Sequence, residues 1–402
     1  MGFETGKTSP EGAKGNNSGN RAPYKPFDGM EAHMQPIAKR AALLALVVAL
    51  YLVYVELVSF GKIRVANIDA DVIPKSSLLA AYPGMAWADT LAKEWAPSNH
   101  YSYEAYVGWE REPFQGQVIN IDEPGVRRTA HSHCDQPGIT IWVFGGSTVW
   151  GYGSPDWLTI PSQLAEKYEN SGHNVCIKNF GEKAWVNTQE MIKLILELKH
   201  TERKPDLVIF YDGPADVWES YQSGRGGVHQ NFEDTKRLFE GHAAAVAGSF
   251  QYLLDSNAGR LLWRQHQQNS IQKSPSKDVN AIAKRALRCY LENVRLIQAL
   301  GREYNFQPVF FWEPTIATGN KPLSPTEKAA QDDARKQFPG LDESNQAAYT
   351  LLQPDCHSPI FCIADALDHA TGSVYFDENH VTGEGNRLVA GRMYDTLKQI
   401  HP

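Results

Sequence analysis

Three short apolar runs, each closed by glycine, constrain this chain more than any other feature. Ile139–Phe144 runs into Gly145 and Gly146, Val175–Phe180 into Gly181, and Leu207–Tyr211 into Asp212 and Gly213. Runs of β-branched and aromatic residues without alternating polarity mark strands buried on both faces. The first is followed by Pro155 and then Ile160, Leu164 and Tyr168 at helical spacing. The second is followed by Thr188, a capping residue, and by Met191, Leu194, Ile195 and Leu198 on one stripe. Strand–helix units in succession predict a parallel sheet with right-handed crossovers. Val309–Trp312 and Ile360–Ile363 supply a fourth and a fifth strand. Ser324 begins a helix with a cap, Pro325 at its first position and Glu327 at its third, and a last helix runs from about Gly383 to Ile400. A largely helical insertion occupies about 230–300, ending in a helix with Leu287, Leu291, Val294, Ile297 and Leu300 on one side. We read 138–402 as one α/β domain and 61–137 as a loop-rich lead-in packed on it.

The first sixty residues have another texture. Residues 1–40 are rich in Gly, Ser, Asn, Pro and Lys and lack hydrophobic periodicity, which predicts a disordered tail. Ala41–Val55 carries no charge, and Leu57–Phe60 extends it past Glu56. Twenty residues at about 1.5 Å each cover roughly 30 Å, the thickness of a bilayer core, so 41–60 is read as a transmembrane signal-anchor. Lys7, Lys14, Arg21, Lys25, Lys39 and Arg40 precede it, whereas Lys62 and Arg64 alone follow before acids begin. That asymmetry places the tail in the cytoplasm and the remainder in the periplasm or outside the cell. The uncharged part, fifteen residues from Ala41 to Val55, also fits a buried core helix or the apolar region of a signal peptide.

A net charge of −7, with no long basic run after the anchor, gives no nucleic-acid footprint. Among five cysteines, Cys356 and Cys362 are near enough for a small loop disulfide, and Cys134 and Cys176 can pair if their strands are neighbours. Cys289 falls in a helical pattern as a free thiol, and five reduced thiols remain the alternative. His131, His133 and Cys134 find no second ligand pair at metal-binding spacing, and the glycines around 145–153 lack a phosphate-loop register. No cofactor is expected.

In open parallel sheets, chemistry lies beyond the carboxyl ends of the strands. The first strand delivers Ser147 there, directly after two glycines and at a helix start, where its N–H is free to meet an oxyanion. On its own such a serine reads more readily as a helix cap in a tight turn. Just before the last helix, however, stand Asp377 and His380. A serine hydroxyl needs a base to become a nucleophile, histidine titrates near neutral pH, and an aspartate can fix its tautomer.

With these blocks in view the sequence resembles the SGNH (GDSL-like) hydrolase superfamily over about 139–396. Phe144-Gly-Gly-Ser147-Thr is similar to the block that carries the nucleophile, Asn179-Phe-Gly181 to the second block, and Asp377-Glu-Asn-His380 to the last. The resemblance implies a flavodoxin-like three-layer α/β/α sandwich with a parallel sheet of about five strands. It also implies Ser147, His380 and Asp377 as a catalytic triad, with the N–H groups of Ser147 and Gly181 as oxyanion donors. The third block departs from the family's Gly-x-Asn-Asp: it reads Gly213-Pro-Ala-Asp216, with Ala215 where an asparagine donor stands. Losing such a donor typically lowers the rate by about 10²–10³. Asn187 and Asn179 are candidates to replace it.

Trp150, Trp185, Trp218 and Trp312 fall at or just beyond strand carboxyl ends, where rings can stack on sugar faces or simply fill space under loops. The expectation is therefore a membrane-tethered serine esterase or O-acyl (acetyl) transferase. Its substrate would be an acyl ester outside the cytoplasm, such as a cell-surface polysaccharide, and its other partner the lipid bilayer through 41–60. The alternative is a non-catalytic SGNH-fold protein that binds or assembles glycans.

Overall fold

The computed structural model describes residues 43–55, 73–136, 138–233, 235–236 and 278–400. Residues 43–55 form a helix, α1, whose apolar side chains, among them Leu44, Leu50 and Val53, are exposed. Among the described residues no helix is long and apolar enough to cross a membrane. The span expected over 41–60 extends beyond the described residues at both ends, and the tail over 1–40 lies outside them.

The lead-in is more ordered than expected. It holds α2 (Lys75–Ala81) and α3 (Trp87–Trp95), the small pair β1 (Tyr101–Ser102) and β2 (Glu110–Arg111), and then β3 (Phe114–Gln115), β4 (Asn120–Glu123) and β5 (Val126–Arg127). The α/β part follows as β6 (Ile139–Gly145), α4 (Ser147–Trp150), α5 (Ile160–Asn170), β7 (Val175–Gly181), α6 (Asn187–His200), β8 (Leu207–Asp212) and α7 (Pro214–Ser223). After the segment 237–277, which lies outside the described residues, come α8 (Val279–Tyr304), β9 (Gln307–Trp312), α9 (Pro325–Gln337), α10 (Leu341–Leu352), β10 (Ile360–Cys362) and α11 (Gly383–Ile400).

The central sheet has eight strands in the order β10-β9-β8-β6-β7-β5-β4-β3. The expected five strands make its parallel part, and the lead-in adds three antiparallel strands beyond β7. Strands of two to four residues carry too little pattern to be seen in sequence. Within the parallel part the first strand, β6, lies between the second and the third, which is the flavodoxin-like order; its reversal point opens a crevice at the carboxyl ends of β6 and β8.

Period-two alternation splits the strand residues between two cores. Ile141, Val143, Ile209, Tyr211, Val309 and Phe311 face α5 and α11. Trp142, Phe144, Val208, Phe210, Phe310 and Trp312 face α6, α7, α8 and α10. Helices thus cover both faces, giving three layers. The helix expected to end the insertion is α8. It lies on the sheet through Ile282, Leu287, Tyr290, Val294 and Ile297, and so serves as the crossover between β8 and β9. In α6 the N-cap is Val186 rather than Thr188, and Ile195 is exposed. The Ser324–Glu327 capping box is present. Cys134–Cys176 and Cys356–Cys362 are disulfides, and Cys289 is a free thiol.

Candidate active site

β6 ends at Gly145, where a Cβ would overlap the Val149 side chain and the Tyr211 carbonyl, so the chain turns tightly into α4. Ser147 is the first residue of that helix, and its N–H has no intrahelical acceptor. Opposite it, Asp377 and His380 sit in a loop closed by the Tyr375–Val381 bridge and by the Phe376 N–H donating to the His380 carbonyl at 2.8 Å. One oxygen of Asp377 accepts from the Asn379 and His380 backbone N–H groups at 3.1 and 2.8 Å. Its other oxygen lies 2.7 Å from His380 Nδ1. Spacing of three therefore works because a single carboxylate shapes the loop and orients the ring.

His380 Nε2 lies 2.7 Å from Ser147 Oγ, a contact between residues 233 positions apart. Tyr152 stacks on the imidazole with centroids 3.9 Å apart. Burial works against the imidazolium, but the charge and hydrogen bond of Asp377, with Glu378 and Glu313 nearby, outweigh it and raise the His380 pKa. Burial likewise opposes ionisation of Asp377, and His380 and the two backbone donors reverse that, leaving its pKa lowered. The side chains are thus arranged as a hydroxyl, a neutral-capable base and an ionised carboxylate in series.

A cleft of about 260 Å³ opens over Ser147. Its walls include Lys183, Ala184, Ala215, Trp218, Glu313 and Asn345. Ala215 lines the same cleft as Ser147. Neither proposed substitute for the missing asparagine reaches the cleft: Asn187 donates to Asp212 at 2.7 Å and Asn179 to the Val149 carbonyl at 3.0 Å, both fully buried.

Gly181 is not the second oxyanion donor in this arrangement. Its N–H donates to Asn179 Oδ1 at 2.9 Å, and a Cβ there would collide with the backbone of Trp150. Glycine is needed so that β7 can pass closely beneath α4. The residues of this loop that line the cleft are Lys183 and Ala184, and Ala184, with a φ of 58°, turns the peptide in the left-handed region. An alanine in that conformation leaves no mark in composition or spacing, which is why sequence reasoning missed it.

Of the four tryptophans only Trp218 lines the cleft. Trp150, Trp185 and Trp312 are 2%, 1% and 1% exposed. Trp150 lies between the guanidinium groups of Arg111 and Arg127, at 3.7 and 4.3 Å, because the lead-in covers the strand ends that were expected to be open. Trp312 packs edge-on against Tyr290 at 5.2 Å. His131 and His133 both bond Glu169, and Cys134 is taken by its disulfide. Among the described residues no group of three or more such side chains is arranged to hold a metal.

Sequence missed two residues that touch the centre, Tyr152 and Glu313. Glu313 directly follows the run Val309–Trp312, so the rule that strand carboxyl ends supply the site was the signal that could have found it.

No protein-family model and no curated protein matches the chain. Solved structures similar to it include an acetyl xylan esterase, at 12% identity over 64% of this chain and 100% of that one with a TM-score of 0.35. A lipolytic protein of the G-D-S-L family from Desulfitobacterium hafniense matches at 12% identity over 64% and 99%, TM-score 0.34. A psychrotrophic esterase from Pseudoalteromonas sp. matches at 12% identity over 65% and 97%, TM-score 0.33.

Proposed function

We propose that this chain is a serine-dependent esterase or O-acyl transferase of SGNH type. The observation that carries the reading is the continuous Ser147–His380–Asp377 hydrogen-bond series at the mouth of the cleft. Ser147 Oγ attacks the acyl carbonyl while His380 Nε2 takes its proton, then returns it to the departing alkoxide. Asp377 holds the ring in the tautomer with its proton on Nδ1 and stabilises the imidazolium. The N–H groups of Ser147 and Ala184 receive the negative oxygen. Water or a sugar hydroxyl then takes the acyl group from Ser147.

The cleft volume suits a short acyl group, and the Trp218 wall suits a carbohydrate face. Two disulfides favour an oxidising compartment, in keeping with a domain outside the cytoplasm tethered through 41–60. A tagged full-length chain extracted from membranes by detergent but not by high salt supports the tether; recovery in the soluble fraction overturns it.

The chemical reading is tested with p-nitrophenyl acetate and a fluorophosphonate probe on the wild type and Ser147→Ala. Turnover and labelling are expected of the wild type alone. Equal rates from both proteins would favour the second reading, a glycan-binding or assembly protein that retains the fold without turnover, for which Ala215 is the supporting feature.

A further inference from the structure

Glu313 lies one residue past β9, at the end of the sheet where Ser147 stands. It is 4% exposed and lines the cleft, yet among the described residues it forms no salt bridge. Its Oε2 accepts from Thr148 Oγ1 at 3.1 Å, and its Oε1 accepts from Asn379 Nδ2 at 3.3 Å. Thr148 is the residue after Ser147, and Asn379 is the residue before His380. The Glu313 backbone N–H donates to the Asp212 carbonyl at 2.8 Å, which anchors the side chain to the rigid end of β8. One carboxyl group, mounted on the sheet, therefore grips both segments that must meet.

We propose that Glu313 is a positioning residue that fastens the turn bearing Ser147 to the loop bearing His380 and so holds the Ser147–His380 hydrogen bond in reach. The inference rests on the serine-esterase reading for its kinetic consequence, although the bridge is geometric. Burying a carboxyl group without a cation is unfavourable, and burial pushes Glu313 up to about 8 despite His380, Thr148 and Asn379 acting in the opposite direction. A leucine in that position would avoid this penalty but would leave Thr148 and Asn379 without a shared partner. The need for the bridge is acute because the two segments are far apart in sequence, and a displacement of about 1 Å at reacting groups can lower a rate by about 10².

Glutamine at 313 can still accept from Asn379 and donate to the Thr148 hydroxyl, whereas alanine can do neither. The test compares full-length wild type with Glu313→Gln, Glu313→Ala and Thr148→Val in p-nitrophenyl acetate hydrolysis, separating kcat from KM. We expect Glu313→Ala to lose about 10²-fold in kcat with KM little changed, Glu313→Gln to recover most of that loss, and Thr148→Val to fall between. Wild-type kcat in Glu313→Ala, or equal losses in the Gln and Ala variants, overturns the bridge. A wild type without turnover or fluorophosphonate labelling sinks the esterase reading instead. In that event, crystal structures of wild type and Glu313→Ala decide: a Ser147–His380 hydrogen bond broken in the variant sustains the bridge, and an intact one refutes it.

Discussion

Arg127 donates from Nη1 to the Trp150 carbonyl at 2.8 Å and holds its guanidinium carbon 4.3 Å from the Trp150 ring. The same side chain reaches the carbonyls of Gly151 and Ser154 and pairs with Asp156 at 3.0 Å, all in the buried interior. A residue of the lead-in thus fixes the carboxyl end of the short helix that starts at Ser147. Arg127→Met would remove those bonds and leave Asp156 buried with Asn120 as its remaining side-chain partner. Removing one member of a buried ion pair typically costs about 3–5 kcal/mol. We expect a loss of that size in denaturant unfolding; a change below about 1 kcal/mol would show that α4 is held without Arg127.

Ala215 leaves the cleft wall without a side-chain donor where the resembled family carries an asparagine amide. Restoring one by Ala215→Asn should raise kcat, up to the 10²–10³-fold that such donors contribute elsewhere. The readout is kcat for p-nitrophenyl acetate together with the rate of fluorophosphonate labelling. A variant that folds with unchanged values of both would mean that the oxyanion is not received on the Ala215 side.

The proposed reaction requires His380 unprotonated, and its surroundings raise its pKa above the ordinary histidine value of about 6.5. kcat/KM should therefore fall as pH drops through a midpoint above 6.5, with a single-proton slope belonging to the coupled Asp377–His380 pair. A midpoint well below 6.5 would mean that burial prevails over the Asp377 charge.

The parts legible in sequence were those in which one local pattern determines the outcome. The parallel strands announced themselves because burial on both faces demands uninterrupted apolar runs, and the glycines that end them mark close approaches such as that of Gly145 to Tyr211. Asp377 and His380 were readable because their interaction is local. What escaped was set by tertiary neighbours. Trp150, Trp185 and Trp312 occupy strand ends, but lead-in segments and helices cover them, and nothing in their own spacing says so. Gly181 fitted a motif while serving a steric need of α4, and the residues of its loop that line the cleft are Lys183 and Ala184. Glu313 is a single acid among forty-six, and its importance lies in two partners remote from it in sequence.

Beneath the cleft, α6, β8 and α7 bring Glu190, Asp212, Asp216 and Glu219 into one buried cluster, with Tyr290 of α8 beside them. Asn187 donates to Asp212 at 2.7 Å, and among the described residues no Lys or Arg is paired with any of the four. Burial, compounded by mutual repulsion in Glu190, Asp216 and Glu219, favours the protonated forms. Glu190 and Asp216 are held well above the usual carboxylate range, Asp212 is pushed up to about 6 and Glu219 to about 8. An acid whose pKa is raised by folding contributes its full stability below its unfolded pKa of about 4, and loses it as pH climbs toward the folded value. Wild-type melting temperature should decline between about pH 4 and pH 8 through these groups. Glu219→Gln, which cannot ionise, should melt several degrees above wild type at pH 9 and show little or no advantage at pH 4. Scanning calorimetry of both proteins across that range checks it. An advantage that stays constant with pH would place the effect in packing and leave the cluster's ionisation without influence on the fold.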